Sequence, residues 1–203
     1  MSNRKKDWVG GSVSIYSSLG SSSHSDRDRA EYDFYATPPE ATDLLMKYEE
    51  LSPVILEPAC GEGNIAIELE ANGHSVILND IVKRNYGNYE PKDFMDLNTG
   101  DGNYDIVTNP PYRDAAKFVY KACTMLTPGH KSCMFLKLTF LEGIGRKELF
   151  DKYPPTRVYV FRKRVNCGLN GKFDNAQSAV CYAWFVWEYH SNTAPIIRWI
   201  DSD

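Results

Sequence analysis

Residues 54–72 constrain this chain most. A short β-branched run, Val54, Ile55 and Leu56, reaches an acid at Glu57, turns on Gly61 and Gly63, and passes at once into a helix-like segment over 64–72 that Gly73 stops. A strand, tight turn and helix of this kind buries its apolar face when a second strand lies parallel to the first and the helix crosses between them. The chain that follows supplies the partners: apolar runs over 75–79, 105–108 and 131–138 alternate with helical spacing over 113–125 and 146–153. A helix over 38–49 precedes them, with Thr37 as its expected N-cap and prolines in its first turn. The last third breaks the alternation, because 157–165 and 179–188 are strand-like with only polar residues between them. The expected fold is α/β and Rossmann-like, a mostly parallel sheet finished by a C-terminal antiparallel hairpin.

With 203 residues, 42% hydrophobic and 25% charged, the chain suits one domain with a single substantial core. Residues 1–30 are Ser- and Gly-rich and open with Arg4, Lys5 and Lys6, so they read as a flexible arm before a domain over 31–203. No apolar run approaches the roughly 20 residues that span a bilayer, and the N-terminus lacks a signal-peptide layout, so a cytoplasmic protein with no membrane partner is expected. Five widely spaced cysteines without a CxxC pair, and four scattered histidines, point to reduced thiols and to no metal site. Nothing in the sequence sets the oligomeric state.

Glu57, Pro58, Ala59, Cys60, Gly61, Glu62, Gly63 and Asn64 follow a strand and open a helix, the place where a doubly wound sheet binds nucleotide-like ligands. There is no third glycine, and the strand ends in an acid, so a ligand carrying an ammonium group fits better than a pyrophosphate. Asp80, followed by Ile81, ends the next strand about 20 residues on, where a carboxylate accepts ribose hydroxyls. A GxG turn alone more often marks a plain βα connection; Asp80 moves the balance to ligand binding.

Asn109, Pro110, Pro111 and Tyr112 close the strand at 105–108 and so fall at the same sheet edge. An exocyclic amine is a poor nucleophile because its lone pair is delocalised into the ring. Acceptors for its protons, Asn109 Oδ1 and the Pro110 carbonyl, favour the tetrahedral nitrogen that attacks. The two prolines restrict the loop beforehand, and Tyr112 offers a face on which a flipped-out base stacks. The competing reading is a structural Pro-Pro turn.

Residues 57–65 and 109–112, in this order, resemble the amino-methyltransferases, and within them the DNA adenine-N6 methyltransferases of phage or bacterial type; the resemblance spans about 31–188. It implies a Rossmann-like S-adenosylmethionine methyltransferase fold, S-adenosyl-L-methionine as cofactor, DNA as partner and adenine as substrate. It further implies a cofactor site of Tyr35, Thr37, Glu57, Ala59, Gly61, Gly63, Asn64, Asp80, Ile81, Asp93, Phe94 and Asn109. In that set Tyr35 to Pro38 lie beside the methionine end, Asp93 holds the cofactor's amine and Phe94 lies against its ring. Asn109, Pro110, Pro111 and Tyr112 carry catalysis. The order of motifs resembles the branch with a C-terminal recognition region, yet only residues 166–177, with Phe173, are available for it here, so a short or relaxed target is expected.

Arg157, Arg162, Lys163, Arg164 and Lys172 form a run without acids that offsets the net charge of −4, with Arg162, Lys163, Arg164, Lys172, Phe173 and Tyr112 as expected nucleic-acid contacts; the alternative is a solvated face. Trp184, Phe185 and Trp187 read as core. The same loop chemistry suits an RNA base or a protein glutamine, and a non-catalytic module that binds S-adenosylmethionine and DNA is the alternative from another class.

Overall fold

The computed structural model describes residues 35–98, 100–169, 171, 173 and 180–201. The expected arm over 1–30 and Lys172 lie outside the described residues. In chain order the described elements are β1 (Tyr35–Ala36), α1 (Pro39–Tyr48), β2 (Val54–Glu57), α2 (Asn64–Ala71), β3 (Ser75–Leu78), β4 (Asp105–Thr108), α3 (Ala115–Met125), β5 (Lys131–Lys137), α4 (Lys147–Lys152), β6 (Arg157–Phe161), β7 (Gly168–Leu169), β8 (Tyr182–Glu188) and β9 (Ile196–Ile200). Seven strands form one sheet in the order β3-β2-β4-β5-β8-β6-β9, and β1 pairs with β7 in a separate ribbon. The pairs among β3, β2, β4 and β5 are parallel, and β8 runs antiparallel to both β5 and β6. The α/β sheet and its antiparallel finish match the sequence expectation.

Alternation along the strands sorts the core onto two faces. Leu56, Ile106, Met134, Phe185 and Trp187 pack with Phe118, Val119 and Ala122 of α3. Ile55, Val107, Cys133, Phe135, Trp184 and Val186 pack on the other face with Leu44 and Leu45 of α1 and Ile65 and Leu69 of α2. Trp184 and Trp187 are buried as expected, and each indole N–H finds a carbonyl, Ala41 O at 2.7 Å and Tyr153 O at 3.0 Å. The cysteines are free thiols, with Cys60 and Cys133 buried and Cys181 exposed. Among the described residues no helix is long and apolar enough to cross a membrane.

The structure departs from the sequence expectation at three places. The N-cap of α1 is Pro38 rather than Thr37, and no side chain caps that helix; the Thr37 hydroxyl is used elsewhere. Ile196–Ile200 is a further strand at the sheet edge, parallel to β6, where four of its five residues stay exposed. Its apolar run lacks the alternation of a half-buried strand, which is why periodicity does not find it. Arg157 does not belong to a basic face. It starts β6 at the opposite sheet edge, where it donates to Glu49 and, at 2.6 Å, to Glu188, while Lys131 Nζ and Tyr159 Oη also reach Glu49, at 2.8 and 2.6 Å.

Candidate functional site

The carboxyl ends of β2, β3 and β4 open into a cavity of about 520 Å³, within the size range of ligand sites in proteins. Tyr35, Thr37, Glu57, Ala59, Asn64, Asp80, Ile81, Asp93, Phe94, Asn109 and Pro111 all line it. These residues come from segments up to 76 positions apart, Tyr35 to Pro111; parallel pairing brings Glu57, Asp80 and Asn109 together because each follows or ends a parallel strand at the same edge, while Tyr35 and Thr37 arrive with β1 and Asp93 and Phe94 from the connection between β3 and β4.

Glu57 is buried, and its Oε2 has no hydrogen-bond partner among the described residues. Burial, and then the charge of Asp80, push its carboxyl well above the ordinary range, while the Ala66 N–H pulls the other way. Asn64 Oδ1 is likewise buried without a partner. Glu57 Oε2 and Asn64 Oδ1 are acceptors, and a buried acceptor without a donor costs about 1–3 kcal/mol. The wall therefore fits a ligand that brings donors, above all an ammonium group.

Asp80 holds the glycine turn. Its Oδ2 accepts the Gly61 N–H at 2.8 Å and its Oδ1 the Val82 N–H at 2.9 Å, and each oxygen retains a lone pair for a hydroxyl. Gly63 has φ of 84°, the left-handed region, and a Cβ there would meet the Tyr86 ring at 2.2 Å. At Gly63 it is therefore the Tyr86 ring, rather than a ligand, that needs the missing side chain. Phe94 is buried against Phe118, with ring centroids 4.9 Å apart, and Asp93 Oδ1 accepts the Met95 N–H at 2.9 Å.

Asn109 is fixed from one side. Its Nδ2 donates to Tyr35 O at 2.7 Å and to Thr37 Oγ1 at 3.0 Å, which leaves Oδ1 as the accepting end of the amide at the cavity. Tyr112 follows but does not line the cavity. Its ring packs beside Tyr35 and Tyr182, with centroids 5.4 and 6.0 Å away, and Lys137 Nζ sits 4.8 Å from its centroid. Burial holds the Tyr112 phenol well above its usual range, and burial pushes the Cys60 thiol up to about 12, so neither serves as a proton carrier or thiolate near neutral pH. Pro110 is buried and outside the lining.

The expected nucleic-acid contacts separate into groups. Arg162, Lys163 and Arg164 are exposed just beyond β6, at the sheet edge that carries the cavity but outside its lining, and Arg162 pairs with Asp201 at 2.9 Å. Phe173 is exposed and also outside the lining. The segment after β6 is nevertheless tied to the site, since β7 pairs with β1, Ala36 opposite Gly168 and Tyr35 opposite Leu169. Sequence reasoning missed Arg84, Arg113, Asp114, Lys117 and Phe118, all of which line the cavity. The four-residue spacing of Arg113 and Lys117 directly after Tyr112 was the available signal.

The chain is similar in structure to a modification subunit of a putative type I restriction enzyme from Vibrio vulnificus, at 13% identity and a TM-score of 0.57 over 89% of this chain and 49% of that one. It is similar to a putative class I S-adenosylmethionine-dependent methyltransferase from Listeria monocytogenes, at 12% identity and 0.56 over 87% and 69%. It is also similar to a putative RNA methyltransferase from Pyrococcus horikoshii, at 13% and 0.57 over 78% and 89%. The chain thus spans about half the length of the restriction subunit. No protein-family model and no curated protein sequence matches it. At these identities the likeness is one of fold, and the fold is that of the methyltransferases.

Proposed function

We propose that this chain is an S-adenosylmethionine-dependent methyltransferase that modifies the exocyclic amine of adenine in DNA. The observation that carries the reading is Asn109, whose amide is locked by Tyr35 and Thr37 with its accepting oxygen at the cavity that also holds the orphaned acceptors of Glu57 and Asn64. S-adenosylmethionine, when bound, supplies an electrophilic methyl group on a sulfonium and an ammonium for Glu57.

The chain's residues then do three things. Glu57 and Asn64 accept from the amino-acid end, Asp80 accepts from ribose hydroxyls, and Asp93 with Phe94 frames the adenine of the cofactor. Asn109 Oδ1 and the Pro110 carbonyl accept the two protons of the substrate amine, which localises its lone pair toward the methyl carbon. Pro111 keeps the loop in place, so alignment rather than a strong base lowers the barrier, and alignment contributes on the order of 7–11 kcal/mol.

Adenine in DNA is favoured by the run Asn109, Pro110, Pro111, Tyr112 and by the fold shared with a restriction modification subunit. An amine of an RNA base is the second reading, favoured by the similarity to a putative RNA methyltransferase. The test is incubation with methyl-labelled S-adenosylmethionine and matched DNA and RNA oligonucleotides of mixed sequence. Label in DNA adenine that unlabelled RNA does not compete away supports the proposal. Label confined to RNA selects the second reading, and cofactor binding without label in either makes the chain a non-catalytic binding module.

A further inference from the structure

We infer that Ile144 is a wedge that enters a DNA duplex and fills the place of the base that flips toward Asn109. The inference rests on the reading of the cavity as a site for adenine in DNA. Ile144 is 88% exposed, more than any other large apolar side chain among the described residues. It opens a short 3-10 turn, Ile144–Arg146, which follows another, Leu138–Leu141, that begins directly after β5. β5 runs parallel beside β4, so this segment leaves the sheet at the edge that carries Asn109. Lys137, the last residue of β5, holds its Nζ 4.8 Å from the centroid of the Tyr112 ring. The exposed isoleucine therefore belongs to the connection next to the loop over 109–112, at the edge where the cavity opens.

The tip is narrow and its base is fixed. Gly143 and Gly145 flank Ile144, so one side chain stands between two bare backbone positions. Gly143 has φ of 103°, which a residue with a side chain rarely adopts, and a Cβ built at Gly145 would meet nothing within 4 Å among the described residues. Below the tip, Arg146 Nη2 donates to Thr139 O at 3.2 Å and to Glu142 O, and its guanidinium lies over the Phe140 ring, 5.0 Å from the centroid. Phe140 is buried against Phe150 and Phe185, with ring centroids 5.7 and 5.8 Å away. The Glu142 and Arg146 N–H groups donate to Thr139 O and Gly143 O, both at 3.1 Å. An isoleucine held out in this way keeps nearly all its apolar surface in water, and a partner that covers it recovers hydrophobic free energy.

A duplex is the partner that suits this shape. An adenine inside a duplex reaches Asn109 only after leaving the stack, and its departure forfeits pairing and stacking. Apolar side chains, isoleucine among them, offset such a loss when they enter between base steps. Successive base pairs are about 3.4 Å apart, so a backbone without side chains on either side of Ile144 can follow it into the gap. A protein partner fits less well, because specific interfaces cover about 800 Å² on each side. Ile144 and the nearby Leu141, 40% exposed, do not supply that area.

The experiment measures methyl transfer from labelled S-adenosylmethionine by the full chain to one mixed-sequence DNA, presented as a single strand and as a matched duplex, for wild type, Ile144→Ala and Ile144→Leu. Ile144→Ala should lower kcat/KM on the duplex by at least about 10-fold, because part of the flipping cost is no longer offset. The single strand has no pair to open, so the same variant should methylate it within about 2-fold of wild type. Ile144→Leu should stay within about 2-fold on both forms, since leucine fills the gap with a similar apolar volume. The wedge is overturned by equal loss on both forms, by a leucine variant as slow as the alanine one, or by no loss on the duplex, with or without the change of oligomeric state that would mark a protein contact. A wild type that methylates single strands only also overturns it and leaves the adenine reading standing. A wild type that methylates neither form overturns that reading itself, an outcome distinct from failure of Ile144.

Discussion

Replacing Glu57 with Gln should stabilise the cofactor-free protein and weaken cofactor binding, two effects of opposite sign from one nearly isosteric change. In the cofactor-free protein Glu57 is buried, its Oε2 has no donor, and burial with the nearby Asp80 charge raises its carboxyl well above the ordinary range. The folded state thus holds a proton that the unfolded chain releases, so this group's contribution is full below the ordinary carboxyl range. It is lost as pH rises through the raised folded value. A neutral amide removes that loss. The amide finds no partner at that position either, so the gain comes from the absent charge and grows as pH rises; each kcal/mol of it moves the midpoint by about 2–4 °C in a protein of this size. Binding responds the other way, because a charge-assisted hydrogen bond worth about 1.5–3 kcal/mol is forfeited, which corresponds to about 10- to 150-fold in Kd. Thermal melts from pH 5 to 8 read the first effect and calorimetry with S-adenosylmethionine the second. Calorimetry in two buffers of different ionisation enthalpy should also show wild type releasing a proton on binding, and the variant none. Wild-type affinity in the variant, or a lowered melting midpoint with unchanged pH dependence, would refute the role given to Glu57.

Three further outcomes follow from other parts of the molecule. Asn109→Ala should lower kcat by at least about 100-fold while S-adenosylmethionine affinity stays near wild type, checked by single-turnover methylation and calorimetry. Thr37→Val removes one of the two acceptors that hold the Asn109 amide, and should cost about 5- to 10-fold in kcat; Thr37→Ser should restore it, which a loss of packing alone would not allow. Burial alone would raise the Glu49 carboxyl, but its bonds to Arg157, Lys131 and Tyr159 more than offset this and hold it below the ordinary range. Its stabilisation is therefore present above the ordinary carboxyl range and lost as pH falls through the lowered value. Glu49→Ala leaves Arg157 and Lys131 without that partner and should cost about 3–5 kcal/mol in denaturant unfolding at neutral pH.

The parts of the fold legible in the sequence are those where one local pattern has one physical solution. Val54, Ile55 and Leu56 before a glycine turn demand a parallel partner, and Trp184, Phe185 and Trp187 are too large and apolar to sit outside a core. Glu57 and Asp80 could be found because strand ends in a parallel sheet converge on one edge. Thr37 has the composition of a cap because it precedes two prolines, and only the tertiary contact with Asn109, 72 positions away, reveals its use. The neighbours of Tyr112 were not legible, because Tyr35, Tyr182 and Lys137, which pack beside its half-buried ring, are remote in sequence. Ile196 and Ile197 lie on an edge strand that leaves both exposed, so neither alternation nor burial marked them. Arg113 and Lys117 gave a helical spacing but no reason to prefer them to any other solvated pair until the cavity placed them at its rim.

The central claim is that an adenine amine meets a sulfonium methyl group between Asn109 and Glu57. Its most direct test is mass spectrometry of nucleosides digested from adenine-containing DNA after incubation with the protein and S-adenosylmethionine. The account predicts N6-methyldeoxyadenosine with wild type and at most a trace with Asn109→Ala. Methylation on any other atom of DNA, or equal product from the two proteins, would contradict it.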